Sequence, residues 1–362
     1  MPATSPLDEA TDSRSAQIDL GAIRSNIRAY TSRTGAPVLV RVDHDAYGHG
    51  LVTVARAAVE AGASWLGVAD VAEAHALRAA GVDVPLLVTG IAPVAGAVPR
   101  GVHVAVATPD AAAAAARAGA AGIHLLLDCG HAPRAMALED AAAVASAGHG
   151  VPVTGLLGVY GAAVSLGDAA AALVRASRGI GLGSEVAMQL RDPTGEAEWP
   201  TPLDAGGVAS GIATVGGAAY GFPGVDGQRR GTPALRAAGR IVTVKRIRAG
   251  EGVSYGYTHR AAADGRIGLV TGGYAQGVVR ALGNRASVSV RGRRRRIVGR
   301  VAMDVCVIEL GDGPAAAGDE VVFLGDPERG EPEVGEWMTA TGMSASELVV
   351  RLIRGFRRSL RS

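Results

Sequence analysis

The stretch "RVDHDAYGHG" (Arg41–Gly50) joins two unlike segments. Before it, "VLVRV" (38–42) is short, apolar and β-branched, and reads as a strand. After it, "GLVTVARAAVEAG" (50–62) carries apolar residues at helical spacing and stops at a glycine, so it reads as a helix. The same unit repeats outward from this point. "WLGVA" (65–69) is a strand and "VAEAHALRAAG" (71–81) a helix. "VPLLVTG" (84–90) and "VHVAVA" (102–107) are strands, "PDAAAAAARAG" (109–119) is a helix, and "IHLLLDCG" (123–130) and "VTGLLGVYG" (153–161) are strands. Strand and helix alternating at this spacing imply parallel βαβ units. So many in succession, with no Gly-x-Gly-x-x-Gly after the first strand, predict a closed (β/α)8 barrel of the TIM type rather than an open sheet.

The barrel is expected over residues 14–230, preceded by a disordered polar tail over residues 1–13. From residue 231 to 362 the pattern changes to short strands with Gly-rich turns: "GRIVTVKRI", "RIGLVTGGY", "ASVSVRGRRRRIVGRVAMDVCVIEL" and "EVVFLG". This is a mostly antiparallel β domain. Near its end "SASELVVRLIRGFRRSL" (344–360) is expected to be a helix, opened by a capping-box-like Ser344-x-x-Glu347.

Composition narrows the partners. A formal charge of +2 over 362 residues favours no particular partner, and "RGRRRR" (291–296) reads as a solvated hairpin rather than a nucleic-acid site. Cys129 and Cys306 make no disulfide framework, which points to a reducing compartment. No apolar run approaches the roughly 20 residues of a membrane span, and no secretory leader is visible, so a cytoplasmic protein is expected. Lys245 is the only lysine in the chain.

The barrel followed by a β domain, with "AYGHG" (46–50) after the first barrel strand, resembles alanine racemase and its fold-type III pyridoxal-phosphate relatives. Further matching motifs appear in family order: "QIDLGAIRSNI" (17–27), "AAYGFPG" (218–224), "VTVKRIRAGEGVSYGYTH" (242–259), "GGYAQG" (272–277) and "IVGRVAMDVCVIEL" (297–310). The resemblance covers nearly the whole chain. It implies a homodimer in which the partner's β domain completes each barrel mouth and brings Tyr255 to it.

The same resemblance exposes departures. The position of the family's cofactor-linking lysine, four residues before Tyr47, is Asp43. A carboxylate forms no imine, and Lys245 lies in a β-domain strand. Thr214 stands where the family aims an arginine at the pyridine nitrogen. Val159 stands for the histidine that stacks on the ring, and Gly206 for a phosphate-binding serine. Leu126 replaces the family's modified lysine. The arginine due at Pro133 is absent, with Arg134 adjacent. Each lost polar contact costs about 1–3 kcal/mol. From these losses, no cofactor is expected and pyridoxal phosphate is expected to be absent.

The candidate catalytic residues are Asp43, His44, Asp45 and Tyr255. Strand alternation places Asp43 and Asp45 on one side and His44 on the other. A carboxylate facing a phenol makes an acid–base pair. Tyr47, Arg134, Tyr220, Gly206, Gly207, Met303 and Asp304 are candidates for binding a small-molecule substrate, with backbone N–H groups at Gly216 and Gly217. His131 and Cys129 read as filling. No metal site is assigned, although Asp43, Asp45, Asp128 and Asp204 are oxygen donors of the type Mg²⁺ takes. The leading expectation is a repurposed, cofactor-independent isomerase, cyclase or lyase of secondary metabolism, acting on a small amino-acid-derived metabolite. The alternatives are a non-catalytic metabolite-binding or dimer-partner protein, and retained pyridoxal-phosphate use without a Schiff base.

Overall fold

The computed structural model describes residues 13–90, 94–130, 132–161, 164–182, 186–191, 211–224 and 227–361. The tail through residue 12, His131, Asp204, Gly206 and Gly207 lie outside the described residues. The chain forms two compact units. One runs from Ile23 to Ala219, with Gly224. The other gathers the chain up to Ala22, Tyr220–Pro223 and everything from Gly227 onward.

Strand β1 (Ser15–Asp19) opens the described chain and helix α1 (Leu20–Thr34) follows. Eight parallel strands then build the barrel: β2 (Val38–Arg41), β3 (Trp65–Val68), β4 (Leu86–Val88), β5 (Val102–Val106), β6 (Gly122–Asp128), β7 (Val153–Val159), β8 (Ala187–Arg191) and β9 (Ala213–Val215). They are ordered β8-β7-β6-β5-β4-β3-β2-β9. A parallel bridge from Met188 to Gly211, with the Ile212 N–H donating to the Met188 carbonyl at 3.0 Å, brings the two ends of this sheet together. The barrel is therefore nearly closed, as the sequence pattern predicts.

Between the strands lie α2 (Leu51–Glu60), α3 (Val71–Ala79), α4 (Pro109–Arg117), α5 (Ala141–Ala147) and α6 (Leu166–Gly179). Their starts are encoded locally. Asp70 accepts the Glu73 N–H, Thr108 the Ala111 N–H and Ser165 the Asp168 N–H, each closing one orphan donor of a first turn. Pro109 sits in the first turn of α4, where it lacks only a hydrogen bond that would not form. The strands are almost wholly buried, as parallel strands covered on both faces must be.

The floor of the barrel is polar and aromatic. The Trp65 and His103 rings meet edge-on at 4.7 Å, and His124 stands 5.7 Å from each. The Gln189 amide lies 3.3 Å from His124 Nδ1 and accepts from Thr214 Oγ1. His124 is fully buried, and desolvation, then the neighbouring His103, lowers its pKa to about 3, so the ring is neutral. Gly155 packs against this ring: a Cβ there would stand 2.3 Å from His124 Nδ1.

In the second unit β10 (Leu235–Ile247) is the central strand. The strands after it are β11 (Gly252–Val253), β12 (His259–Arg260), β13 (Gly265–Thr271), β14 (Ser287–Val290), β15 (Arg293–Arg296), β16 (Val305–Glu309) and β17 (Glu320–Leu324). Helices α7 (Val334–Thr341) and α8 (Ala345–Gly355) precede the last strand, β18 (Arg357–Arg361). β10 pairs antiparallel with β1, β13 and β17. The arginine run forms β15, joined to β14 by Arg291 and Gly292, both at positive φ, as a tight hairpin requires. Ser344 caps α8 by accepting the Glu347 N–H at 3.2 Å.

The helix expected to reach residue 360 stops at Gly355, and Arg357–Arg361 instead pair in parallel with β1. The chain turns extended at Phe356 to make that pairing. A Cβ at Gly355 would lie 2.3 Å from the Gln276 Cα, so no larger residue fits at the end of the helix.

Candidate active site

At the C-terminal mouth of the barrel, β2 ends at Arg41, and residues 44–47 turn in the left-handed conformation. His44, Asp45, Ala46 and Tyr47 hold φ values of 56°, 57°, 53° and 54°. For residues bearing a Cβ this conformation costs about 1–2 kcal/mol each. Alternation along a strand therefore does not describe this segment, and the expected split of Asp43 and Asp45 from His44 is corrected.

Bonds from outside hold the turn. The Glu73 carboxylate, from the first turn of α3, accepts the Asp45 N–H and the Ala69 N–H, both at 2.8 Å. Asp45 Oδ1 accepts the Leu51 N–H at 2.7 Å and so starts α2. The His49 ring is buried with Nδ1 2.9 Å from the Ala46 carbonyl. Burial first, then repulsion from Asp70 and Asp43, raises the Glu73 pKa, while its two backbone bonds oppose the rise.

Asp43 is buried and pairs through Oδ2 with Arg41 Nη2 at 2.5 Å. Its Oδ1 is shielded from solvent and has no hydrogen-bond partner among the described residues. The Arg41 guanidinium also lies 5.6 Å from the Tyr47 ring centre. Arg134 completes the cluster electrostatically: burial first, then repulsion from Arg41, lowers its pKa, and Asp43 opposes that. His44 and Asp45 are exposed. Asp128 ends β6 with Oδ1 accepting the Gly130 and Ala132 N–H groups, at 2.8 and 3.1 Å. Asp43, Asp45 and Asp128 are thus each engaged, and no group of three or more His, Cys, Asp or Glu able to hold a metal is found among the described residues.

Two of the positions expected to have lost polar contacts share an apolar patch. Leu126 and Val159 pack with Ala132 and Leu157 inside the barrel. Thr214 donates to Gln189, and its carbonyl accepts the Tyr30 hydroxyl at 2.9 Å. Cys129 is buried, which with Asp128 pushes its thiol up to about 11.

In the second unit the remaining candidates lie on a different kind of surface. Tyr255, Tyr257, Tyr274 and Met303 are 70, 60, 40 and 55 % exposed, unusual for such side chains. Ser254 Oγ donates to the Arg300 carbonyl, while the Tyr274 and Ala275 N–H groups donate to the Ala302 and Met303 carbonyls, so these segments adjoin. Asp304 accepts from the Gln276 amide at 3.0 Å. Tyr220 is not on this surface; it is buried against Phe222 in the interior.

Two family models match the chain: "Alanine racemase, N-terminal domain" over residues 18–174 and "Alanine racemase, C-terminal domain" over residues 234–360. The chain belongs to the alanine racemase family. A protein of Thermobifida fusca named alanine racemase is 37% identical, over 94% of this chain and 96% of its own length. One from Frankia casuarinae with the same name is 35% identical over 93% of each. The solved alanine racemase of Streptomyces lavendulae, a D-cycloserine producer, superposes with a TM-score of 0.82 at 33% identity, over 96% of this chain and 97% of that one. That of Streptomyces coelicolor A3(2) gives 0.83 at 30% identity, over 97% and 99%.

These relatives correct two expectations. A repurposed, cofactor-independent enzyme of secondary metabolism, or a non-catalytic metabolite-binding or dimer-partner protein, does not fit identity spread end to end with proteins named alanine racemase. The expected absence of pyridoxal phosphate falls with it, because this family is built around that cofactor. The mouth itself fits the cofactor in part. The Arg41 guanidinium, 5.6 Å from the Tyr47 ring centre, suits an anionic group. Residue 43 is a carboxylate, which forms no imine, and Lys245 is an exposed residue of β10.

Sequence reasoning missed Glu73 and Arg41. Glu73 carried a signal, the Asp70-x-x-Glu73 spacing of a capping box, but that pattern gives no hint that its carboxylate crosses to the turn at Asp45. Arg41 carried none beyond its place two residues before Asp43.

Proposed function

We propose that this chain is an amino-acid isomerase of the alanine racemase family in which Asp43 occupies the position of the family's lysine and pyridoxal phosphate is held without a bond to residue 43. When bound, that cofactor supplies the electron sink that acidifies an amino acid's α-proton. The chain's own residues divide the rest. Arg41, Arg134 and Tyr47 attract and orient anionic groups at the mouth. Asp43, with Oδ2 fixed by Arg41, offers Oδ1 as the atom that takes or returns a proton. This unpartnered, buried oxygen is the observation that most favours the reading.

Tyr255 is assigned the opposite proton. It is 70 % exposed on the second unit, in a patch with Tyr257, Tyr274 and Met303. Exposed apolar patches of this kind mark interaction surfaces, and a second copy of the chain is the partner the family resemblance implies. Asp304, beside Met303, is assigned to the same shared mouth. No described helix is long and apolar enough to cross a membrane, and a cytoplasmic enzyme is part of the proposal.

The test is exchange of the α-hydrogen of L- and D-amino acids in deuterated water, followed by NMR, with pyridoxal phosphate added. Exchange with both enantiomers, lost roughly 10²–10⁴-fold in Asp43→Asn, is expected. No exchange in the presence of saturating cofactor, from a folded dimer, would remove the isomerase reading.

A further inference from the structure

Beside Arg134 the barrel unit contains a cavity of about 640 Å³. Its walls are apolar: Val88 of β4, Ala105 of β5, Ala111 and Ala114 of α4, and Leu126 of β6. Its volume falls within the usual range for small-ligand pockets, about 300–1,000 Å³. The exposed lining residues, Thr108, Asp110 and Arg134, mark where it meets solvent. Leu126 also belongs to the apolar patch with Leu157 and Val159, so the walls continue into the barrel interior. Arg134 makes no hydrogen bond or ion pair with any described residue, although Asp43 and Arg41 act on it electrostatically.

A guanidinium without a partner beside an apolar cavity suits one ligand shape: a carboxylate joined to an apolar tail. Alanine's methyl group would leave nearly all of this space unfilled. Alanine wall residues make the cavity wide, and each is a position where one larger side chain would close it.

We infer that the substrate of this site is an amino acid with a branched or aromatic apolar side chain, whose carboxylate binds Arg134 and whose side chain enters the cavity between β5 and α4. This rests on the amino-acid reading above, but it names the side-chain class independently of the cofactor.

The test uses the full-length protein without added cofactor and calorimetric titration of two simple carboxylates, acetate and 4-methylpentanoate. Burial of the extra methyl and methylene groups should make 4-methylpentanoate roughly tenfold to hundredfold tighter. Ala111→Leu and, independently, Ala114→Leu should each remove most of that preference while leaving acetate unchanged, and Arg134→Met should weaken both ligands. Two filling variants guard against one failing to fold. Equal affinity for the two carboxylates, or an undiminished preference in both folded filling variants, would overturn the inference. Preference for 4-methylpentanoate in a protein that takes up no pyridoxal phosphate would uphold the cavity assignment and count against the cofactor reading alone.

Discussion

Removal of Arg41 should destabilise the barrel more than its position at a strand end suggests. The Asp43 side chain is 5% exposed and that of Arg41 14%, with the two groups 2.5 Å apart. Breaking a buried pair from one side costs about 3–5 kcal/mol, because the other charge stays behind without compensation. Arg41→Met keeps a long apolar stem and removes the cation. Asp43 would then have neither oxygen paired among the described residues, since Oδ1 already lacks a partner. The lost contact with Tyr47 adds about 0.5–2 kcal/mol within that range. Asp43→Asn should cost less, about 1–3 kcal/mol, because Arg41 is the more exposed partner and retains Tyr47. The double variant Arg41→Met/Asp43→Asn should cost clearly less than the sum, with a coupling of about 1–3 kcal/mol. Urea unfolding measures this, followed by tryptophan fluorescence in a Trp337→Phe background that leaves only the barrel unit's tryptophans as reporters. An Arg41→Met cost below about 1 kcal/mol with additive singles would show that the pair is solvated and that Asp43 is not held by it.

Other perturbations test separate parts of the structure. Glu73→Gln replaces a carboxylate that accepts two backbone N–H groups with an amide oxygen and a misplaced donor; a loss of about 1–3 kcal/mol is expected, with pyridoxal-phosphate affinity falling as the Asp43–Tyr47 turn loosens. Unchanged affinity in a destabilised Glu73→Gln would limit Glu73 to stability. His124 stays neutral in the fold with its pKa lowered to about 3, so its stabilisation is complete above the unfolded value near 6.5 and is lost as pH falls toward 3. At pH about 5 the loss amounts to about 2 kcal/mol. His124→Gln should remove that share of the acid sensitivity, and a pH profile identical to wild type would contradict the assignment. Gly155→Ala should unfold the barrel floor or cost several kcal/mol, because its Cβ would enter the His124 ring, and near-wild-type melting would refute that packing. Tyr255→Arg should weaken self-association measured by analytical ultracentrifugation; a wild-type sedimentation profile would move the interface elsewhere.

Much of this architecture is legible in the sequence because its signals are local. "VLVRV" and "GLVTVARAAVEAG" differ in period and in stop residues, and the structure keeps both within two residues. The cap at Ser344 was equally readable. The end of the last helix was not, because Arg357–Arg361 pair with β1, a strand at the other end of the sequence. The site divides in the same way. Asp43 and Tyr47 could be named from their motif. Their actual disposition depends on four consecutive left-handed residues, which no period reveals, and on Glu73 reaching over from another helix. Nor could Tyr220 be recognised as an interior residue, since an aromatic beside Gly-Phe-Pro suits both a core and a binding edge.

The most direct test is equilibrium dialysis of the wild-type protein against pyridoxal phosphate, with half of each sample reduced by borohydride and its mass determined. Saturable uptake is expected, fully reversed by dialysis and without any gain in mass after reduction, whereas Asp43→Lys should acquire a reducible adduct at residue 43. Failure of the wild-type protein to take up pyridoxal phosphate, or a covalent adduct formed on it, would contradict a barrel mouth that holds the cofactor without a bond to residue 43.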